Sequence, residues 1–109
     1  MDIFEVTKNG WLILDLKGRM DAVTSPIVRE RIMAVIDRGE TRILLDCSGL
    51  EYVSSAGLRV LFEAAYRIQD RSGKIGCYGV SANVRKIFNL ADLGADIQIY
   101  DEQEAALHE

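Results

Sequence analysis

Two adjacent hydroxyls, Ser54 and Ser55, are the side chains whose place in this sequence best suits them to chemistry. Before them runs Ile43-Leu44-Leu45-Asp46-Cys47, an apolar strand candidate, then the polar loop Ser48-Gly49-Leu50-Glu51-Tyr52 and Val53. After them comes Ala56-Gly57-Leu58-Arg59 and an amphipathic helix. In open α/β sheets, sites gather at the edge where strands end and helices begin. The helix's apolar periodicity starts at Leu58, so Ser54 or Ser55 has to supply the oxygen that caps its orphan amides. That duty alone would account for the pair. The other reading is that one hydroxyl accepts a phosphoryl group, which brings about −1.5 to −2 charges. The positive end of a helix and its free amides tolerate such an anion, so the modification would alter what the surface binds and leave the fold intact. Gly57 in the first turn costs about 1 kcal/mol against alanine. It marks a close approach, either by a partner or by packing within the domain.

Other catalytic sets are missing. The single histidine, His108, is next to the last residue, where chains fray. No G-x-S-x-G nucleophile elbow occurs, and Gly73-Lys74 lacks the upstream glycine and following hydroxyl of a phosphate loop. Cys47, Cys77 and His108 do not make a zinc set; the two cysteines read as reduced, packed thiols. Asp21, Asp46 and Glu51 read as loop and strand-end acids, one of which could lie near the serines. The expectation is a protein with no catalytic residues, metal or cofactor of its own.

The chain of 109 residues reads as one domain, 1–109. Hydrophobic residues at 49% and charged ones at 28% are the balance of a soluble globular protein. A net charge of −4, with 13 Lys and Arg spread along the chain, argues against direct nucleic-acid binding. No run approaches the ~18 apolar residues of a membrane span, and Met1-Asp2-Ile3-Phe4-Glu5 is not the start of a signal peptide. A cytoplasmic location with no membrane contact is expected.

The elements that must hold the serines follow from periodicity. Ile3–Val6 is a strand, Asn9-Gly10 a hairpin turn, and Trp11–Lys17 a second strand with Leu12, Leu14 and Leu16 on one face and Trp11, Ile13 and Asp15 on the other. Gly18-Arg19-Met20-Asp21 breaks it. Thr24 and Ser25 are candidate caps and Pro26 suits a first helical position. Val28, Ile32, Val35 and Ile36 then form a helical stripe ending near Gly39. Arg42–Cys47 is a strand buried on both faces. The serine helix buries Leu58, Leu61, Phe62, Ala65 and Ile68 and stops at Arg71-Ser72-Gly73. Lys74–Val80 is a strand, Ser81 caps a helix burying Val84, Ile87 and Phe88, Ile97–Tyr100 is a last strand, and Asp101 opens a short acidic helix. The order is β-β-α-β-α-β-α-β-α. It predicts an α/β domain, a mixed and mostly parallel sheet covered by about four helices.

At these residues the sequence resembles the STAS domain family, specifically its stand-alone bacterial anti-sigma factor antagonists. The family's strand ending in Asp or Asn is matched by Ile43-Leu44-Leu45-Asp46, and its D-S-[SA]-G-L motif by Ser54-Ser55-Ala56-Gly57-Leu58. Its G-x-[LM]-D turn is matched by Gly18-Arg19-Met20-Asp21, and the similarity continues through Ser81–Phe88. The resemblance implies that Ser55, and less so Ser54, is the phosphorylated serine, with Asp21, Ser54, Ser55, Gly57, Leu58 and Arg59 at the partner-binding surface. Ser54 replaces the family's usual aspartate, and Arg59 stands where many members carry glycine. By the same resemblance the unphosphorylated protein binds an anti-sigma factor that is a serine kinase and so frees the sigma factor. Phosphorylation of Ser55 releases it, and a serine phosphatase resets the switch. The alternative within the family is a non-phosphorylated assembly subunit of a transporter or lipid-trafficking ATPase complex.

Overall fold

The computed structural model describes residues 1–109. Strand β1 (Asp2–Lys8) and strand β2 (Trp11–Met20) form an antiparallel hairpin, joined at Asn9 and Gly10, whose φ values of 52° and 81° are both positive. That turn matches the right-handed twist of the strands it joins. Helix α1 (Ser25–Asp37) follows, then β3 (Arg42–Asp46), β4 (Leu50–Val53), α2 (Ser55–Asp70), β5 (Lys74–Tyr78), α3 (Ala82–Leu90), a 3₁₀ turn over Leu93–Ala95, β6 (Gln98–Ile99) and α4 (Gln103–Leu107). The sheet order is β1-β2-β3-β5-β6, with β4 paired to β2, and every pairing except β1–β2 is parallel. The single α/β domain with a mixed, mostly parallel sheet and four helices is therefore as the periodicity predicts.

Two local expectations are corrected. Residues 18–20 do not break β2, and 50–53 are not simply loop: both are strand, and they pair with each other. The first half of β2 pairs with β3, Leu12 opposite Ile43 through Asp15 opposite Asp46. Its last three residues leave β3 and pair with β4, Gly18 opposite Leu50 and Met20 opposite Val53. The register shifts between Gly18 and Arg19, so that Glu51 is the extra residue of a bulge, and Gly18 sits at φ 120°, where a side chain would be strained. A bulge lets a strand bend and twist away from one neighbour toward another. The order is thus β-β-α-β-β-α-β-α-β-α. The remaining differences are at ends: β5 stops at Tyr78, β6 spans two residues, and α4 begins at Gln103.

The alternation in β2 sorts the core as predicted. Leu12, Leu14 and Leu16 join a cluster of 25 buried residues that takes in Val28, Ile32 and Ile36 of α1, Leu61, Ala65 and Ile68 of α2, and Val84 and Phe88 of α3. Trp11 and Ile13 face the other side, where with Leu44 and Tyr78 they pack against Ala106 of α4. The buried stripe of α2 is rotated from its predicted position. Val60 and Ala64 are buried, while Leu58 and Phe62 are half-buried at its margin. α2 packs on α1 as well as on the sheet, which widens the apolar face it needs. Cys47 and Cys77 are free and buried in this core. The neighbouring Cys77 thiol, together with burial, pushes the Cys47 thiol well up, which keeps it protonated and unreactive.

Candidate functional site

The junction between β4 and α2 is built from three backbone and packing constraints. The amide of Ser54 donates to the carbonyl of Met20 at 2.7 Å, which fastens the end of β4 to the end of β2. Ser54 has extended backbone (φ −83°, ψ 176°), its carbonyl receives the first helical bond from the amide of Leu58, and its Oγ accepts from the amide of Gly57 at 3.3 Å. Gly57 lies directly over the strands. A Cβ there would come within 2.8 Å of Val53 Cγ1 and 3.0 Å of Met20 Cβ. Of the two explanations for this glycine, close packing inside the domain is the one the structure provides.

These constraints divide the two hydroxyls. Ser54 is half-buried and occupied as the N-cap; Ser55, the first helical residue, is exposed, and its Oγ takes no part in the cap. The amides of Ser55 and Ala56 lie in the first turn, where no intrahelical acceptor exists, and the helix dipole leaves this end positive. An anion added to Ser55 Oγ would therefore meet favourable potential. Sixteen residues of α2 stand behind that potential.

Asp21 is brought to this junction by the Met20–Ser54 bond, and it has a structural task. Its Oδ1 accepts from the amides of Val23 and Thr24, both at 3.0 Å, and lies 3.2 Å from Thr24 Oγ1. The Thr24 amide is the chief reason its carboxyl is held below its ordinary value, with the Val23 amide, the Thr24 hydroxyl and Arg19 adding to the effect against the opposing cost of partial burial. Thr24 Oγ1 in turn donates to the carbonyl of Arg19 at 2.5 Å, so it does not cap α1 as its position suggested. This knot fixes the β2–α1 turn beside the serine helix. Ser25, the other candidate cap, is 1% exposed and its Oγ has no hydrogen-bond partner.

Between the first turns of α1 and α2 lies a groove bordered by Ala22, Ser25, Pro26, Ala56, Arg59 and Val60. Val23 and Ile27, before and within the first turn of α1, are exposed. Deeper along the two helices, Arg29 makes a two-pronged ion pair with Glu63 at 2.8 and 2.6 Å. That pair raises the guanidinium's pKa and lowers the carboxyl's, hydrogen bonding being the first cause of each. Arg67 also reaches Glu63 at 3.6 Å. Arg59 is exposed and belongs to no ion pair.

A second depression, of about 600 Å³, opens at the other side of the β2–β4 crossing and is lined by Asp2, Asp15, Lys17, Asp46, Ser48 and Glu51, among others. Four carboxylates against one lysine make it hostile to phosphate. Asp46 uses Oδ1 to accept the amide of Ser48 at 3.0 Å, an internal turn bond. Glu51 is exposed on β4. Periodicity alone had no means of separating Ser54 from Ser55; the hydrogen bond to Gly57 is what does so.

Fold and site together define a one-domain α/β protein whose distinctive surface feature is a serine hydroxyl left outside a completed helix cap. The model of the STAS domain matches residues 4–106. The anti-sigma F factor antagonist of Paenibacillus polymyxa is 30% identical over 101 residues, which are 92% of this chain and 86% of that protein. Among solved structures, an anti-sigma factor antagonist from Mycobacterium paratuberculosis superposes with a TM-score of 0.89 at 22% identity, covering 98% of this chain and 91% of the other. SpoIIAA of Bacillus in its phosphorylated form gives 0.73 at 21% identity, covering 95% and 96%. The chain belongs to the STAS domain family.

Proposed function

We propose that this protein is an anti-sigma factor antagonist that works as a phosphorylation-controlled switch. The observation that carries the reading is the division of labour between the serines: Ser54 closes the cap, and Ser55 presents an unengaged hydroxyl at the positive end of α2. The names of its relatives, anti-sigma factor antagonists at up to 30% identity over most of the chain, support the same role. In the unphosphorylated state the face carrying Ser54, Ser55, Leu58 and Arg59, held in place by the Asp21 turn and by Gly57 beneath, binds an anti-sigma factor with serine kinase activity. The sigma factor is then free. The kinase transfers the terminal phosphoryl group of ATP to Ser55 Oγ, ADP leaves, and the hydroxyl proton is lost to solvent or to the kinase. A dianion at the centre of the interface then opposes rebinding. Like charges or an unpaired charge at an interface cost several kcal/mol, and each 1.4 kcal/mol is tenfold in affinity. A serine phosphatase restores the hydroxyl. In this scheme the protein is a cytoplasmic substrate of the kinase and contributes no catalytic group.

The test is to incubate the protein with an anti-sigma factor serine kinase of the same organism and Mg-ATP, then map the phosphate by mass spectrometry. Labelling should fall on Ser55 and vanish in Ser55→Ala, and Ser55→Glu should bind the kinase at least tenfold more weakly. Equal labelling of Ser55→Ala would move the acceptor elsewhere, and unimpaired binding of Ser55→Glu would remove the electrostatic mechanism. A wild-type protein that stays unlabelled and co-purifies with a transporter ATPase would replace the switch by constitutive assembly.

A further inference from the structure

The α1–α2 face contains one arginine with nothing to balance it. Glu63 neutralises Arg29 by two short hydrogen bonds and is shared with Arg67 at 3.6 Å. Arg59 has no carboxylate within ion-pairing distance and stays exposed at the rim of the groove. It follows Ser55 by four residues on the same helix, so the two side chains lie one above the other on one face of α2. An acid four residues N-terminal to a base is the favourable order for such a pair. The charged groups on the elements around this helix start include Asp21, engaged with the Val23 and Thr24 amides, Arg19 at the end of β2, which lies over the Tyr52 ring at 4.5 Å, exposed Glu51 on β4, and the mutually paired Arg29 and Glu63.

We infer that Arg59 is the built-in counter-ion of phosphorylated Ser55, a positioning residue that folds onto the phosphate and is thereby withdrawn from the docking face. Phosphorylation would then change that face twice, by adding a dianion and by engaging the cation that the unphosphorylated protein offers to an acidic group on its partner. The guanidinium is planar and carries several donors, which suits phosphate oxygens. This inference rests on the reading of Ser55 as the modified residue.

It can be tested without the kinase by installing phosphoserine at position 55 during translation and following the phosphate's second ionisation by phosphorus NMR. In the wild type that ionisation should lie about 0.3 unit or more below its value in Arg59→Gln, a shift of the size such helix pairs produce. Arg59→Lys, which keeps the charge, should recover most of the difference, and 1 M salt should narrow it. Arg59 is exposed, so these variants should melt like the wild type. Superimposable titration curves for wild type and Arg59→Gln would overturn the inference. Because the phosphate is placed during translation, that outcome is separate from the kinase's choice of serine, which mass spectrometry of the enzymatically labelled protein decides.

Discussion

Ser54 and Met20 are 34 positions apart in the chain, yet the amide of one donates to the carbonyl of the other at 2.7 Å, directly before α2 begins. This bond places the start of the helix against the end of β2. It also explains why the next residues are so restricted: Gly57 lies over Met20 and Val53 with no room for a methyl group.

Gly57→Ala should consequently destabilise the fold even though alanine is the better helix former. Propensity favours alanine by up to about 1 kcal/mol, but overpacking a tight contact costs about 1–3 kcal/mol. The net expectation is a loss of about 1–2 kcal/mol in urea denaturation. A variant more stable than the wild type would show that the strands below α2 yield easily and that the glycine serves another purpose.

The two serines should respond oppositely to removal. Ser54→Ala deletes the N-cap oxygen and should cost about 1 kcal/mol of stability, while its product remains a substrate for labelling at Ser55. Ser55→Ala deletes an exposed hydroxyl outside the cap and should melt within about 0.5 kcal/mol of wild type. Thermal and urea denaturation of both variants, side by side, decide the assignment; a larger loss in Ser55→Ala would reverse it.

Ser25 offers a stabilising substitution. Its Oγ is shut away from water with no partner, and an unsatisfied buried polar atom is a net cost. Ser25→Ala should raise stability by about 1 kcal/mol. If instead the variant is less stable, the hydroxyl must have a bonding partner in solution.

Asp21 predicts part of the acid response. Its folded carboxyl is held down chiefly by the amide of Thr24, so ionisation of Asp21 favours the folded state. That contribution is complete above the unfolded value of about 3.9 and is lost as pH falls from there through the lower folded value. Asp21→Asn keeps an oxygen acceptor but has no charge to titrate. Its stability should therefore fall less steeply than wild type below about pH 4. Parallel curves for the two proteins in chemical denaturation across pH 2–6 would mean that other carboxylates account for the whole acid response.

Most elements could be read from the chain because their signals are local. The Asn9-Gly10 turn, the alternation of β2, the stripe of α1 and the cap at Ser81, whose Oγ accepts from the amide of Val84, each involve residues a few positions apart. β4 gave no such signal. Leu50 and Val53 are buried three apart with Glu51 exposed between them, a pattern without strand periodicity, and its partner is the end of β2 some thirty residues earlier. The rotated stripe of α2 had the same kind of cause, since only assembly reveals that α1 also lies against it.

What the sequence by itself determined is the α/β layering, the place of the serine pair at a helix start, and the charge sign of Arg59 four residues on. Those depend on covalent order and on the fixed periods of helix and strand. Only the tertiary structure decided which hydroxyl is spent on the cap, why Gly57 has no side chain, and that Arg29 is neutralised while Arg59 is not. Each of these turns on atoms from different elements meeting within a few ångströms, where hydrogen bonds, steric exclusion and ion pairs act, and linear spacing carries no measure of that distance.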